Sequence, residues 1–189
     1  MASILSAGNH SRDIQEIYYR ARKGKELTVY DDNSIEYPKP PKNLSGRILI
    51  GVNDPLLRRE IAGRWKHLKG TNPVIDPSVT IGPDVGLGLG VVVAQQTALG
   101  LGVCLGNHVH VNTCVSLIRA LVGDFSTLSP GCVICGNVEI GEATLIGAGA
   151  VVCERTFIGN EVTVGAGAII PPYSRVPHGA IVTGVWKNR

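Results

Sequence analysis

The sequence predicts a small α/β unit followed, from residue 75 onward, by an all-β solenoid of stacked coils. Two regularities predict the solenoid: an aliphatic residue returns at every sixth position, and the residue after it is often glycine. In addition, the fourth residue after each aliphatic one is usually small or β-branched. A six-residue period fits neither an α-helix nor an alternating strand, whereas it fits short strands joined by tight turns, three to a coil.

The aliphatic series falls into two runs with one irregular step between them. Leu117 ends the first run, and Val122 begins the second run five residues later instead of six. Eighteen residues make one coil, so that residues 75–181 predict about six coils, of which the third is one residue short. The series consists of Ile75, Ile81, Leu87, Val93, Leu99, Leu105, Val111 and Leu117, then Val122, Leu128, Ile134, Ile140, Ile146, Val152, Ile158, Val164, Ile170, Val176 and Val182.

The first 65 residues alternate strand and helix signals. Ile14, Ile17, Tyr18 and Ala21 have the spacing of an amphipathic helix, and Ser11 suits its N-cap. We predict a strand in 3–10 that runs into a glycine turn, a helix over 11–23, strands over 27–30 and 48–52 with a proline-rich loop between them, and a helix to about Trp65. This order is typical of a truncated Rossmann-like unit. We therefore expect domains at 1–65 and 75–189, joined by a linker over 66–74.

Polar residues follow each of the three predicted strands, where ligands of such units bind. A helix N-terminus after a glycine turn attracts phosphate, and an acidic residue after the second strand suits a ribose hydroxyl or a base edge. One glycine in the first turn is a weak signal by itself, and a solvated loop explains it about as well. The candidate substrate-binding residues are Gly8, Asn9, His10, Asp31, Asp32 and Asn53.

Composition excludes several classes of function. The formal net charge of +3 and the absence of a Lys/Arg cluster argue against a nucleic-acid partner, and no apolar run is long enough to span a membrane. Five cysteines without a secretory signal predict free thiols in a reducing, cytoplasmic location. Cys132 takes an inward position and Cys135 a turn position, which favours packing over a redox pair or a zinc site.

Both halves together resemble a known family of enzymes. The chain is similar to the hexapeptide-repeat acyltransferases that carry an N-terminal Rossmann-like domain, the nucleotide-sugar N-acyltransferases. This group includes the 4-amino-sugar N-acetyltransferases and the sialic acid O-acetyltransferases. The matching stretches are SAGNHS at 6–11 (Gly-x-Gly-Gly-His in the family), TVYDDN at 28–33, IGVNDPLLRREI at 50–61, HVNTCVS at 110–116, VGDFSTLSPG at 122–131 and CGNVEIGEATLIGAGAVV at 135–152.

The resemblance implies a fold, an assembly and two ligands. The solenoid would be a left-handed parallel β-helix, and three copies would form a homotrimer that holds acetyl-CoA between neighbouring β-helices. The small domain would hold the nucleotide of an activated amino sugar. Asp31 and Asp32 would contact its base or ribose, whereas Gly8, Asn9 and His10 would lie near the phosphates.

The resemblance also implies roles in acetyl transfer. The backbone N–H of Gly136 would bind the developing oxyanion, a type of donor whose loss elsewhere costs ~10²–10³-fold in rate. Asn112 would orient the sugar near its reacting nitrogen. Backbone at Ala148, Gly149, Ala166 and Gly167 would line the pantetheine channel, although packing alone explains such small residues about as well.

One family residue has no counterpart in this chain. The family's general base is a histidine in the hexad after Asn-Thr, but residues 117–121 contain neither histidine nor acid, and this hexad is the short one. Ile118 or Arg119 replaces the histidine, depending on where the gap falls, and arginine cannot act as a base at neutral pH. Either substrate positioning suffices, or His108 or His110 substitutes, or the protein only binds.

The leading hypothesis is acetyl-CoA-dependent N-acetylation of a nucleotide-linked amino sugar, with no metal. An amine needs its proton removed less than a hydroxyl does, which disfavours an O-acetyl acceptor. Two alternatives stay open: a non-catalytic scaffold that binds nucleotide sugars, and a trimeric zinc enzyme of the carbonic anhydrase type. The zinc enzyme needs three histidine ligands, for which the repeat offers His108, His110 and His178.

Overall fold

The computed structural model describes residues 2–6, 10–24, 27–31 and 37–187. The first part of the chain forms a four-stranded parallel sheet, sheet A, with two helices. Its strand order is β2-β1-β3-β4. The elements are β1 (Ala2–Ser6), α1 (His10–Ala21), β2 (Thr28–Asp31), β3 (Arg47–Gly51), α2 (Pro55–Arg64) and β4 (Lys69–Gly70).

The two helices pack into separate apolar clusters. Ile14 and Ile17 of α1 lie with Ile4 of the sheet and also with Val74 and Val92 of the β-helix. The cluster around Ile61 of α2 is made from the sheet and the loop before β3. Helix α1 therefore packs against both the sheet and the first coils of the β-helix, which ties the two parts of the chain together.

Helix α2 begins where local sequence signals place its start. Asp54 is the N-cap, and its carboxylate accepts a hydrogen bond of 2.8 Å from the Leu57 N–H. Pro55 occupies the first position of the helix, where the missing N–H costs nothing. The start of α2 is thereby fixed directly after Asn53, one of the candidate substrate residues.

The sequence analysis missed one strand of this part. Lys69–Gly70 falls inside the predicted linker and pairs in parallel with β3. Two residues are too few for any periodic signal, so the sequence could not reveal this strand.

From residue 74 to residue 182 the chain forms a parallel β-helix, as predicted. Its three sheets have seven, six and six strands. Sheet B contains Val74–Ile75, Val92–Val93, His110–Val111, Thr127–Leu128, Leu145–Ile146, Thr163–Val164 and Ile181–Val182. Sheet C contains Thr80–Ile81, Ala98–Leu99, Ser116–Leu117, Val133–Ile134, Val151–Val152 and Ile169–Ile170. Sheet D contains Gly86–Leu87, Cys104–Leu105, Ala120–Val122, Val138–Ile140, Phe157–Ile158 and Arg175–Val176.

The aliphatic residue of each hexad points into the β-helix. From Val93 to Val182 every member of the series is buried in one continuous core. Ile81 is 48% exposed because it belongs to the first coil, which has no coil beneath it. Inner serine and threonine side chains also bond between coils: Thr144 Oγ1 donates to Gly159 O (2.9 Å) and accepts from Val162 N (3.2 Å).

Turns between the sheets form three edges of the β-helix. The B–C edge consists of the turns at 76–79, 94–97, 112–115, 129–132, 147–150 and 165–168. The C–D edge consists of those at 82–85, 100–103, 118–119, 135–137, 153–156 and 171–174. The D–B edge consists of those at 88–91, 106–109, 123–126, 141–144, 159–162 and 177–180. One residue of every turn except 76–79 has a positive φ, as at Asn137 (58°) and Gly149 (64°).

Candidate functional site

The irregular step of the repeat lies in a turn of the C–D edge. Ile118 N donates to Ile134 O in the next coil (3.4 Å), and Arg119 N donates to Leu101 O in the preceding coil (2.8 Å). In the preceding coil, Leu101 lies between the residues that are equivalent to Ile118 and Arg119, and in the following coil Gly136 lies between them. Ile118 and Arg119 themselves are consecutive, so this middle position of the turn is vacant. The short turn therefore lacks the counterpart of Gly136.

This turn presents apolar and cationic groups instead of a base. Ile118 is 43% exposed, Leu121 in the following strand is 50% exposed, and Arg119 is exposed as well. Neither Ile118 nor Arg119 occupies the vacant turn position. Which of the two residues replaces the family histidine therefore stays a prediction.

Gly136 presents an open backbone donor on the C–D edge. Its N–H donates no hydrogen bond within residues 37–187, whereas its carbonyl accepts one from Arg155 N (3.0 Å). A Cβ at Gly136 meets no atom within 4 Å. The N–H is thus available to an oxygen from outside the β-helix.

Equivalent donors are open on the B–C edge. In the described part of the chain, the N–H groups of Thr113, Ala148 and Ala166 donate no hydrogen bond. Ala148, Gly149, Ala166 and Gly167 are all exposed, and they lie in consecutive coils of this edge. The four residues that the resemblance implies for pantetheine therefore form one exposed strip of backbone, which includes two unused amide donors.

The D–B edge differs because side chains of the next coil cap its N–H groups. Asn107 Oδ1 accepts from Leu89 N (3.0 Å), and Asp124 Oδ1 accepts from Asn107 N (2.7 Å). Further along, Asn160 Oδ1 accepts from Glu142 N (3.0 Å). The described residues of the B–C and C–D edges show no such ladder, although the N–H of Asp124 on the D–B edge is open as well.

Asn112 lies where the two parts of the chain meet. Its Nδ2 donates to Leu128 O (3.1 Å) and lies 3.5 Å from Oδ1 of Asn53, which lies in the turn after β3. Thr97 Oγ1 donates to the Asn112 carbonyl (2.7 Å) and fixes the turn. The structure thus brings together Asn53 and Asn112, which the sequence analysis selected for substrate binding and for catalysis.

A cavity of about 290 Å³ opens beside Asn112, between α1 and the B–C edge. Helix α1 contributes two carboxylates, Asp13 and Glu16, and both side chains are exposed. The wall from the β-helix includes Gln95, Asn112 and Thr113. The residues that line the cavity carry hydrogen-bonding groups and negative charge but no cation, which suits an ammonium or an amine.

Arg58 of α2 joins the two parts of the chain. It is completely buried, and its guanidinium contacts the backbone on both sides of the junction. Burial lowers the pKa of Arg58 to about 9, while Asp54 opposes that shift. The residue therefore stays charged at neutral pH.

The three histidines considered as bases or zinc ligands have other partners. His108 stacks on Phe125 at a ring distance of 5.3 Å, and burial followed by the Arg58 charge lowers its pKa to about 4. His110 Nδ1 lies 3.3 Å from Arg58 Nη1, a cation. His178 Nδ1 accepts from Asn160 N (2.9 Å). The described residues include no group of three His, Cys, Asp or Glu side chains that could hold a metal ion.

The remaining sequence candidates are less fully described. Gly8, Asn9 and Asp32 lie outside the described residues, and His10 begins α1. Asp31 ends β2 and is 3% exposed. The phosphate and ribose roles of these residues therefore stay predictions. All five cysteines are free, and burial raises the pKa of Cys132 to about 12, as its inward position implies.

Sequence reasoning missed four residues of the site: Asp13, Glu16, Arg58 and Thr127. In the sequence, Arg58 stands beside Arg59 in a charged helix, and nothing distinguishes the buried arginine from the exposed one. Asp13 and Glu16 lie on the polar side of an amphipathic helix, where a solvated surface is the default. Thr127 has an outward position in its strand, where the repeat predicts exposure. It is buried because the N-terminal unit packs against it, as its bond to Asn53 shows.

The outward face of sheet C is uncharged. In each strand the first residue points outward, and most of these residues are exposed. Val133 and Ile169 are 38% and 41% exposed. The outward residues of sheet C are Thr80, Ala98, Ser116, Val133, Val151 and Ile169.

No helix in the described part of the chain is long and apolar enough to cross a membrane.

Comparison with known families and structures supports the fold over almost the whole chain. Residues 119–154 match the family "Bacterial transferase hexapeptide (six repeats)". No curated protein matches the chain in sequence.

A variant of GDP-perosamine N-acetyltransferase from Caulobacter crescentus, solved with CoA and GDP-perosamine, is 23% identical, with a TM-score of 0.86 over 97% of this chain and 93% of its own. WeeI from Acinetobacter baumannii AYE is 20% identical, with a TM-score of 0.83 over 97% of both chains.

The acetyltransferase domain of PglB from Neisseria gonorrhoeae FA1090, solved with acetyl coenzyme A, is 25% identical, with a TM-score of 0.63 over 97% of this chain and 96% of its own. The resemblance found in the sequence is thus confirmed: the chain carries the transferase hexapeptide and has the fold of hexapeptide-repeat N-acetyltransferases over nearly its whole length.

Proposed function

We propose that the protein transfers an acetyl group from acetyl-CoA to the amine of a nucleotide-linked amino sugar. The observation that carries the proposal is the contact between Asn53 and Asn112 at 3.5 Å. It places the end of β3, where a Rossmann-like unit binds its nucleotide, beside the edge of the β-helix with open amide donors. The similarity to transferases crystallised with CoA and a nucleotide sugar supports both ligands.

Acetyl-CoA fits the B–C edge. The open N–H groups of Ala148 and Ala166 suit the amide carbonyls of a pantetheine chain, and their small side chains allow a ligand close to the backbone. Gly149 and Gly167 follow with positive φ values of 64° and 65°. A strip of this kind binds an extended ligand through backbone contacts.

A complete site requires a second copy of the chain. Asn112 lies on the B–C edge and Gly136 on the C–D edge, and the face of sheet C separates these two edges within one protomer. If three copies pack their uncharged sheet C faces around a threefold axis, the B–C edge of one protomer meets the C–D edge of its neighbour. We therefore propose a homotrimer with three shared sites.

The acceptor amine fits the cavity beside Asn112. Asp13 and Glu16 attract an ammonium group there, and either carboxylate or water can accept its proton. The neutral nitrogen then attacks the thioester carbonyl, forming the C–N bond, while the Gly136 N–H stabilises the oxyanion. Collapse of the intermediate breaks the C–S bond and releases the thiolate of CoA, and the nitrogen loses its remaining extra proton.

Positioning replaces the missing histidine in this scheme. Holding the reactants in the correct geometry can lower the activation barrier by about 7–11 kcal/mol. A general base raises the rate by ~10²–10⁴-fold, which corresponds to a smaller decrease of the barrier.

A second candidate function is non-catalytic binding of a nucleotide sugar. The vacant turn position between Ile118 and Arg119 favours it, because that turn presents no base.

The direct test measures thiol release from acetyl-CoA in the presence of several nucleotide-linked 4-amino and 3-amino sugars. We expect release with at least one acceptor and its loss in Asn112→Ala. No release above background with any acceptor would exclude the enzyme. Thermal stabilisation by a nucleotide sugar but not by CoA would then identify the binding scaffold.

A further inference from the structure

We infer that Arg58 is a positioning residue, which holds the turn after β3 against the β-helix so that Asn53 meets Asn112. The catalytic consequence rests on the proposed function, whereas the contact itself does not. Arg58 touches neither proposed substrate, so its effect passes through Asn53 and Thr127.

The guanidinium of Arg58 makes hydrogen bonds to both sides of the junction. It is 0% exposed, and each of its three nitrogens donates at least one bond. On the side of the N-terminal unit the acceptors are Val52 O (2.5 Å) and Asn53 O (3.3 Å). On the side of the β-helix they are His108 O (2.8 Å), His110 Nδ1 (3.3 Å), Phe125 O (2.5 Å), Ser126 O (3.0 Å) and Thr127 Oγ1 (2.7 Å).

Thr127 continues this network to the site. Its hydroxyl accepts from Arg58 Nη2 and donates to Asn53 O at 2.8 Å. The backbone of Asn53 is therefore held by two donors, Arg58 and Thr127. The Asn53 side chain in turn lies against Asn112 Nδ2. Four residues thus form one continuous path from α2 to the B–C edge.

Arginine suits this position better than any other residue. Its planar group has five N–H donors and no acceptor, which matches a shell made mainly of carbonyl oxygens. Among the described residues no carboxylate forms an ion pair with Arg58, and Asp54 acts on it only at longer range. The charge is therefore stabilised by backbone dipoles from both parts of the chain, and these bonds require the two parts to stay in register.

The neighbouring Arg59 provides a matched comparison. It also reaches the β-helix, through an ion pair of 2.8 Å with Glu161, but both side chains are more than 40% exposed. Exposed pairs of this kind contribute little to stability. A substitution at Arg59 therefore changes the same helix and the same residue type without disturbing the buried junction.

The first test removes one link of the path. Thr127→Val keeps the shape of the side chain but lacks the hydroxyl, Thr127→Ser keeps the hydroxyl, and Thr163→Val is the control at the same strand position two coils away. The readout is kcat/KM for a nucleotide-linked amino sugar relative to the same amino sugar without its nucleotide. Only the linked acceptor depends on the register between the two parts of the chain.

We expect Thr127→Val to lower this ratio by ~10–10²-fold, since small misplacements of a bound substrate have effects of that size. Thr127→Ser should restore most of the ratio, Thr163→Val should leave it near the wild-type value, and KM for acetyl-CoA should stay the same. An unchanged ratio in Thr127→Val, or an equal fall for both acceptors, would overturn the inference.

The second test does not depend on activity. Hydrogen–deuterium exchange is measured on peptides that cover 50–54 and 110–115 in wild type, Arg58→Lys and Arg59→Lys. We expect faster exchange in both peptides for Arg58→Lys alone. Exchange that stays at the wild-type rate would overturn the inference. If wild type acetylates no acceptor, the proposed function fails and this exchange measurement alone decides about Arg58.

Discussion

At the scale of single residues, the hydrogen-bond donor of Gly136 can be removed without changing the backbone conformation of its turn. The same turn position of the C–D edge holds Pro83 in the first coil and Pro172 in the last coil. Proline is therefore compatible with the backbone there, and the Gly136 N–H makes no bond within residues 37–187 that it could lose. Replacing Gly136 by proline should remove the N–H and leave the fold intact.

We predict that Gly136→Pro lowers kcat by ~10²–10³-fold, the usual effect of losing one oxyanion donor. Its melting temperature should stay close to that of wild type. Leu101→Pro is the matched control, because Leu101 occupies the same turn position two coils earlier and lies outside the proposed site. Wild-type turnover in Gly136→Pro would show that this N–H does not contact the oxyanion.

His108 makes stability depend on pH. Its pKa is lowered to about 4 by burial and by Arg58, although Asp124 opposes the shift, so the unfolded chain binds a proton at higher pH than the folded one does. Stability is therefore complete above pH ~6.5 and falls as the pH drops towards ~4, by on the order of 3 kcal/mol from this group.

The variant His108→Asn should remove that part of the acid sensitivity. Asparagine tolerates the positive φ of 55° at this position, as Asn137 does in another turn. We predict that the difference in unfolding free energy between pH 7 and pH 4.5 is smaller in His108→Asn than in wild type. Equal differences in urea titrations of both proteins would contradict the assignment.

Whether a site residue can be predicted from the sequence depends on whether its interaction partners lie close to it in the sequence. Asn112 and Gly136 could be selected because they lie in motifs of the repeat and of the family. Arg58 could not, because its acceptors are backbone carbonyls up to 68 positions away in the sequence. Every residue has a backbone carbonyl, so the sequence does not show which of these acceptors bind Arg58.

At the scale of elements, the short coil shows both the strength and the limit of periodicity. The step from Leu117 to Val122 is visible in the sequence, because every other aliphatic interval is six. Its exact place was ambiguous, since Ile118 and Arg119 fit the remaining turn positions equally well. The bonds from Ile118 to Ile134 and from Arg119 to Leu101 resolve the ambiguity. Strand pairing between coils, unlike periodicity, identifies each turn position.

Inserting one histidine between Ile118 and Arg119 should restore a full turn and supply a base on the C–D edge. We predict a rise in kcat towards the ~10²–10⁴-fold that general bases contribute, with cooperative thermal unfolding. Insertion of alanine at the same place is the control for coil length. If the histidine insertion is no faster than the alanine insertion, the vacant position does not face the reacting amine.

At the scale of the whole molecule, the outward face of sheet C distinguishes one side of the β-helix from the others. Sheet D carries Glu139 and Arg175 on its outward face, and part of sheet B is covered by the N-terminal unit. Sheet C has no charged outward residue, and no other element of the described chain packs on its outward face. Its central outward residue Val133 should therefore lie in the contact between protomers.

We predict that Val133→Glu yields folded monomers without activity, because a buried like charge repeated around the threefold axis opposes assembly. Leu89→Glu is the matched control: Leu89 is also 38% exposed but lies on the D–B edge, opposite sheet C. Light scattering with size exclusion gives the mass of each variant. A Val133→Glu protein that keeps the wild-type mass would exclude sheet C as the interface.

Complementation between two inactive variants tests most directly whether two protomers share each site. Asn112→Ala and Gly136→Pro are each prepared alone and then mixed at equal amounts by unfolding and refolding together. We expect recovery of about one quarter of wild-type activity, since a random trimer joins an intact Asn112 edge to an intact Gly136 edge at that frequency. Mixed trimers that stay as inactive as the separate variants would contradict it.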